Sequence, residues 1–108
     1  MLGSPLYMPP EIVKEGNYDS KVDIWSSGVI AYILLTGSPP FYGKDKKSIW
    51  LSIVNKTPNF GKYKKHLSEE AIDFTTKCLE KDPVMRSSAE ELLQHPWLSE
   101  NVEEPKID

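Results

Sequence analysis

The sequence predicts an all-α fold, about five helices arranged around one apolar central helix. Three observations lead there. Apolar residues between Val22 and Leu35 cover most of a helix circumference, which places that helix inside a domain and not on its surface. Further segments show apolar residues at helical spacing, each opened by a Ser or Asp able to cap a helix. No run alternates polar and apolar residues for long enough to make a strand.

In chain order, Pro9-Pro10 begins a short helix through about Lys14, since proline suits a first turn, and Gly16 and Asn17 end it. Asp19-Ser20 offers an N-cap for the central helix, and Ser20-x-x-Asp23 fits a capping box. That helix runs to about Thr36, with Gly37 as its stop and Pro39-Pro40 beyond. A third helix spans Asp45 to about Lys56, with Ile49, Trp50, Ile53 and Val54 on one side. Thr57 to Leu67 reads as a polar loop. Ser68-Glu69-Glu70 caps a fourth helix ending near Glu80, with Ile72, Phe74, Cys78 and Leu79 as its apolar face, and Asp82-Pro83 breaks it. Ser88 caps a fifth, Ala89 to about Gln94, and His95-Pro96-Trp97-Leu98 completes the packed part. Residues 1–98 therefore read as one domain and 99–108, mostly charged, as a flexible tail.

At 108 residues and a formal charge of -3, the chain suits a single domain with no general attraction to nucleic acid or anionic membrane. The one cysteine, Cys78, excludes an internal disulfide. It reads as a small buried hydrophobe, with a reactive thiol as the alternative. No secretory signal opens the chain, and its longest apolar stretch, Ile24 to Leu35, falls short of the about 20 residues a membrane span needs. The expected location is cytoplasmic, with the nucleus as an alternative.

Four motifs then stand in order: Gly3-Ser4-x-x-Tyr7-Met8-x-Pro10-Glu11, Asp23-x-Trp25-x-x-Gly28, Pro39-Pro40-Phe41, and Asp82-Pro83-x-x-Arg86 followed by His95-Pro96-Trp97. Any one is weak. All four in register resemble the C-terminal lobe of eukaryotic serine/threonine protein kinases, from the end of the activation segment onward. Within that family the run from Tyr18 to Phe41 and the Lys64-Lys65-x-Leu67-Ser68 stretch are most similar to the calcium/calmodulin-dependent and calcium-dependent kinases. The resemblance implies the C-terminal half of that lobe, with the N-lobe and catalytic loop absent.

It also implies roles. Gly3, Ser4, Pro5, Leu6 and Tyr7 match the substrate-facing loop, in which Ser4 would serve the catalytic groups and Leu6 and Tyr7 would line the pocket for the residue after the phosphoacceptor. Ser4 alone is otherwise an ordinary loop serine. Glu11 and Arg86 match a buried ion pair that ties the activation segment to the last helices; without the resemblance they are two solvated charges. Asp23, Trp25 and Gly28 match the anchor of the catalytic loop. Read locally, Asp23 only satisfies helix-end amides, Trp25 is core, and Gly28 permits close approach of a neighbouring segment. Two departures stand out. Pro9 replaces the family's usual Ala, which a helix start tolerates. Ile33 replaces an acidic residue that in cyclic-AMP-dependent relatives selects basic substrates. The clusters Lys44, Lys46, Lys47 and Lys62, Lys64, Lys65 read as solvated loops, with recognition patches as the alternative.

Phosphoryl transfer needs a Gly-rich loop over the phosphates, a lysine–glutamate pair, a catalytic Asp and Asn, and a metal-binding Asp. No such motif stands in this sequence, so no catalytic or metal-binding residue is assigned. ATP and Mg2+ are implied for full-length relatives and not for this chain. The expectation is a fragment of a serine/threonine kinase, inactive alone, whose partners are protein substrates or the missing kinase segments. Self-association through an exposed face of the central helix is also expected. The alternatives are a non-catalytic kinase-remnant binding module and an unrelated small helical adaptor.

Overall fold

The computed structural model describes residues 8–11 and 20–99. Of the expected tail at 99–108, Ser99 falls in the last helix and 100–108 lie outside those residues, as does the helix end between Ile12 and Lys14. Helix α1 is Ser20–Thr36, α2 Lys46–Asn55, α3 Glu69–Cys78, α4 Ala89–Leu93 and α5 Pro96–Ser99, with a 3-10 helix at Gly61–His66. Among the described residues there is no strand. Pro10 and Glu11 are helical, and Pro9 is fully buried at their start.

The helix starts follow their caps. Asp45 accepts from the Ser48 amide at 2.8 Å and Ser68 from the Ala71 amide at 3.1 Å. At α4, Ser88 and Glu91 exchange side-chain-to-backbone bonds of 3.1 and 2.9 Å, a full capping box. Ser20, expected as a cap, is itself helical, and what precedes it lies outside the described residues. Gly37 closes α1: its amide donates to the Ile33 carbonyl at 2.7 Å with φ at 78°, a conformation glycine adopts without strain.

Two clusters pack against α1. Trp25, Val29, Tyr32, Phe41, Ile53, Phe60 and Leu79 form one, and Ile24, Phe74, Cys78 and Leu92 the other. Trp25 stacks on Phe41 with centroids 5.6 Å apart and planes 8° from parallel. The burial is not complete around α1: Ile30 and Leu34 are 48% and 81% exposed. Helix α2 buries less than its apolar run suggests. Ile53 is fully enclosed, while Trp50, expected on the inner side, is 36% exposed. Of the four apolar residues only Ile53 is buried, with Ile49 packed partly against the core, so the apolar side of α2 is broader than the part the core covers.

Helix α3 crosses α1 at Gly28. A Cβ added there would lie 2.5 Å from the Cys78 Cβ and 3.0 Å from a Leu79 methyl. Both neighbours belong to a packed helix end, so Gly28→Ala is expected to destabilise the protein by about 1–3 kcal/mol through overpacking. A urea melt in which this variant matches the parent would show that α3 can slide aside at no cost.

Candidate functional site

The Asp82-Pro83 turn delivers one side chain to the interior. The Asp82 carboxylate accepts from the Val84 amide at 2.9 Å, and the Asp82 carbonyl accepts from the Arg86 amide at 2.8 Å. Val84 and Met85 are left outside, and Arg86 points in with its side chain fully enclosed.

All five N–H bonds of a guanidinium need acceptors once buried. Arg86 has them. Its Nη1 and Nη2 donate to Glu11 Oε2 and Oε1 at 2.7 and 2.8 Å. Nε donates to the Glu80 carbonyl at 2.7 Å, Nη1 also to the Lys21 carbonyl at 3.0 Å, and Nη2 also to the Lys81 carbonyl at 3.3 Å. The guanidinium carbon sits 5.0 Å from the Trp25 ring centroid. Lys21 adds a reciprocal stitch, its Nζ donating to the Pro83 carbonyl at 3.0 Å and to the Arg86 carbonyl. The segment at Glu11, the start of α1 and the turn after α3 thus meet at one cation.

A second, half-buried cation lies beside it. Lys81 Nζ donates to the Ile53 carbonyl at 2.6 Å and lies 4.6 and 5.8 Å from the Phe41 and Trp25 centroids. Burial pushes its ammonium down to about 8, with the Glu80 carboxylate pulling the other way. Between about 8 and the ordinary 10.5, the unfolded chain holds a proton that the folded chain has released, so this group adds stability as pH rises. Burial also holds the Cys78 thiol up to about 12 from 9.0, against the pull of Arg86, which works in the opposite sense at high pH. Parent stability is expected to rise relative to Lys81→Met as pH climbs from about 8 to about 10, a comparison in which the Cys78 effect cancels. Parallel pH profiles from urea melts would contradict this.

The far end of α3 carries a third cluster. Asp73 accepts from Lys77 Nζ and from His95 Nε2, both at 2.6 Å, and these contacts, Lys77 first, hold its carboxyl below the usual range. His95 Nδ1 accepts from the Trp97 amide at 3.1 Å, which places the ring proton on Nε2. Phe74 meets the edges of His95 and Trp97 at 5.4 and 5.0 Å.

The residues singled out from the sequence fall as follows. Glu11, Trp25 and Arg86 converge. Gly28 lies at the α1–α3 crossing. Asp23 is exposed on the first turn of α1. Gly3, Ser4, Pro5, Leu6 and Tyr7 lie outside the described residues. The Trp25 indole N–H is a buried donor without a partner among the described residues. Lys21 and Lys81 carry no motif that marks them in the sequence; a lysine flanking a helix end looks like any solvated cation until the aromatic stack over it is known. Among the described residues no group of three His, Cys, Asp or Glu is placed to hold a metal ion, and no helix is long and apolar enough to cross a membrane.

The protein kinase domain profile matches residues 1–98. The chain is 42% identical over 106 residues to serine/threonine-protein kinase pakG of Dictyostelium discoideum, covering 98% of this chain and 9% of that protein. It is 40% identical over 108 residues to calcium-dependent protein kinase 3 of Oryza sativa subsp. japonica, 99% of this chain and 19% of that one. It is 43% identical over 107 residues to myosin light chain kinase A of Dictyostelium discoideum, 98% of this chain and 36% of that one. The chain therefore spans between 9% and 36% of the length of these curated relatives. Serine/threonine kinases, calcium-dependent ones among them, are the proteins it resembles across its whole helical scaffold, and the chain belongs to the protein kinase domain family.

Proposed function

We infer that this chain supplies the substrate-facing loop and C-lobe scaffold of a serine/threonine protein kinase, the enzyme class that transfers the γ-phosphate of ATP to protein serine or threonine. The observation that supports it most is the buried bidentate Glu11–Arg86 pair, which ties the segment ending at Glu11 to the helical scaffold. The loop Gly3 to Tyr7 immediately precedes that tie and is proposed to face substrate, with Asp23, Trp25 and Gly28 forming the shelf for a catalytic loop. The Trp25 indole N–H, without a partner among the described residues, supports this, since a carbonyl from such a loop would complete it.

The residues described here do not fit ATP and Mg2+. Arg86 spends all five of its donors on Glu11 and three backbone carbonyls, and Lys21 and Lys81 are turned onto backbone carbonyls. By itself the chain is accordingly proposed to be inactive. Radiolabelled ATP and a mixed peptide substrate should give no phosphate transfer with the pure chain, and transfer above background would overturn the proposal. Grafted into a calcium-dependent kinase in place of the matching segment, the chain should support transfer, and the graft carrying Glu11→Ala should not.

A second reading, a non-catalytic binding module, draws on the exposed Ile30 and Leu34 of α1. If that face pairs with a second copy, light scattering should report a dimer that Leu34→Glu dissociates; a clean monomer at high concentration argues against self-association.

A further inference from the structure

Between α2 and the 3-10 helix runs a groove of about 1030 Å3 that takes no part in the Arg86 centre. Its walls are rings: Tyr32, Tyr42, Phe60 and Tyr63, with Pro39 and Pro40. Tyr32 tilts against Phe60 at 5.0 Å between centroids, and its hydroxyl donates to the Asn59 carbonyl at 2.5 Å, so that part of the wall is fixed. Tyr42, by contrast, is 75% exposed and offers its face to solvent. Gly61, at φ 52°, turns the chain under the groove, its amide held by the Asn59 side chain at 2.8 Å.

The charge of this region is one-sided. Lys56 and Lys62 line the groove, the latter with Nζ 5.5 Å from the Tyr63 centroid, and no Asp or Glu lines it. The asymmetry extends along the chain. From Lys46 to Leu67 there are six lysines and no acidic residue, in a protein whose net charge is -3.

We propose that this groove binds an extended, acid-rich peptide segment of a partner protein. The rings and prolines take its apolar side chains, and Lys56 and Lys62 face its carboxylates. Tyrosine walls give large contact area at low conformational cost, and Asn55 and Thr57 supply polar groups for an extended backbone that has no internal hydrogen bonds. Two lysines in an aromatic cleft suit a peptide with a few charges. A polyanion such as RNA would also meet the acidic remainder of the surface. The proposal is independent of phosphate transfer and holds whether or not the chain supports it.

Fluorescence anisotropy on the intact chain tests it, using a short fluorescein-labelled peptide that alternates glutamate with leucine and proline, and its glutamine counterpart. The glutamate peptide should bind about ten-fold more tightly than the glutamine one at low salt, the ratio shrinking as salt is added. Lys56→Glu with Lys62→Glu should erase that preference, and Tyr42→Ser should weaken both peptides. Lys64→Glu with Lys65→Glu, which do not line this groove, should leave the preference in place. All these positions are surface ones, so unchanged circular dichroism separates lost binding from lost fold. Absence of binding up to about 1 mM peptide, equal binding of the two peptides, or indifference to the groove substitutions would overturn the proposal. So would tighter binding of polyuridylate RNA or phosphatidylserine vesicles than of the glutamate peptide.

Discussion

Arg86→Ala should lower the stability of this chain by about 3–5 kcal/mol, because it leaves the Glu11 carboxylate buried without its counter-charge. The carbonyls of Glu80, Lys21 and Lys81 lose their donor in the same step. Against a total of roughly 5–15 kcal/mol for a domain, this loss is a large share of the stability. Arg86→Lys should recover little. An ammonium keeps the charge, but it cannot present a planar fork to Oε1 and Oε2 while also reaching three carbonyls. Urea midpoints of parent, Arg86→Ala and Arg86→Lys decide the matter, and coincident midpoints would show that the pair contributes nothing.

Phe41→Ala should cost a comparable amount, about 3–5 kcal/mol. Phe41 is fully buried, lies parallel to Trp25, and has the Lys81 ammonium 4.6 Å above it. Removing the ring opens a cavity with one charged wall, which water will enter. The loss therefore has a second reading at Lys81, whose ionisation should move from about 8 back toward 10.5 as its surroundings hydrate. Amine labelling of Lys81 as a function of pH, read by mass spectrometry, follows that return. A destabilised variant with an unmoved Lys81 profile would mean that Lys81 is desolvated by groups other than Phe41.

How far the sequence carries the structure depends on which physical signal each element leaves. Helix starts are legible because a cap is a local event: Asp45, Ser68 and Ser88 each bond an amide three residues on. The central helix is legible from composition, since so many apolar residues in one stretch need a core, although Ile30 and Leu34 stay exposed. The 3-10 helix at Gly61–His66 leaves no such trace, because three-residue turns lack an apolar stripe and Lys62, Lys64 and Lys65 look like loop. Helix α5 is too short to show a period and hangs on Pro96 and the His95 ring. Glu11 and Arg86 are 75 positions apart, and nothing in their spacing says they meet. The family resemblance suggests the pair. The structure adds that three backbone carbonyls complete the arginine and that Trp25 lies against it. The burial of Lys81 is invisible beforehand because it is created by the Trp25–Phe41 stack, a contact between residues on separate elements.

The arginine hub also sets how the molecule comes apart. A short segment tied to a domain at one point ordinarily opens on its own, at little cost to the rest. Here release of residues 8–11 would strand a guanidinium beneath Trp25 with two of its donors emptied, so the opened form is itself strained. Detachment of that segment and loss of the turn at residues 82–86 are thereby coupled into one cooperative unit. Amide hydrogen exchange at Arg86, whose N–H is held by the Asp82 carbonyl, should quicken in Glu11→Ala, and an unchanged rate would mean that the turn does not depend on the segment.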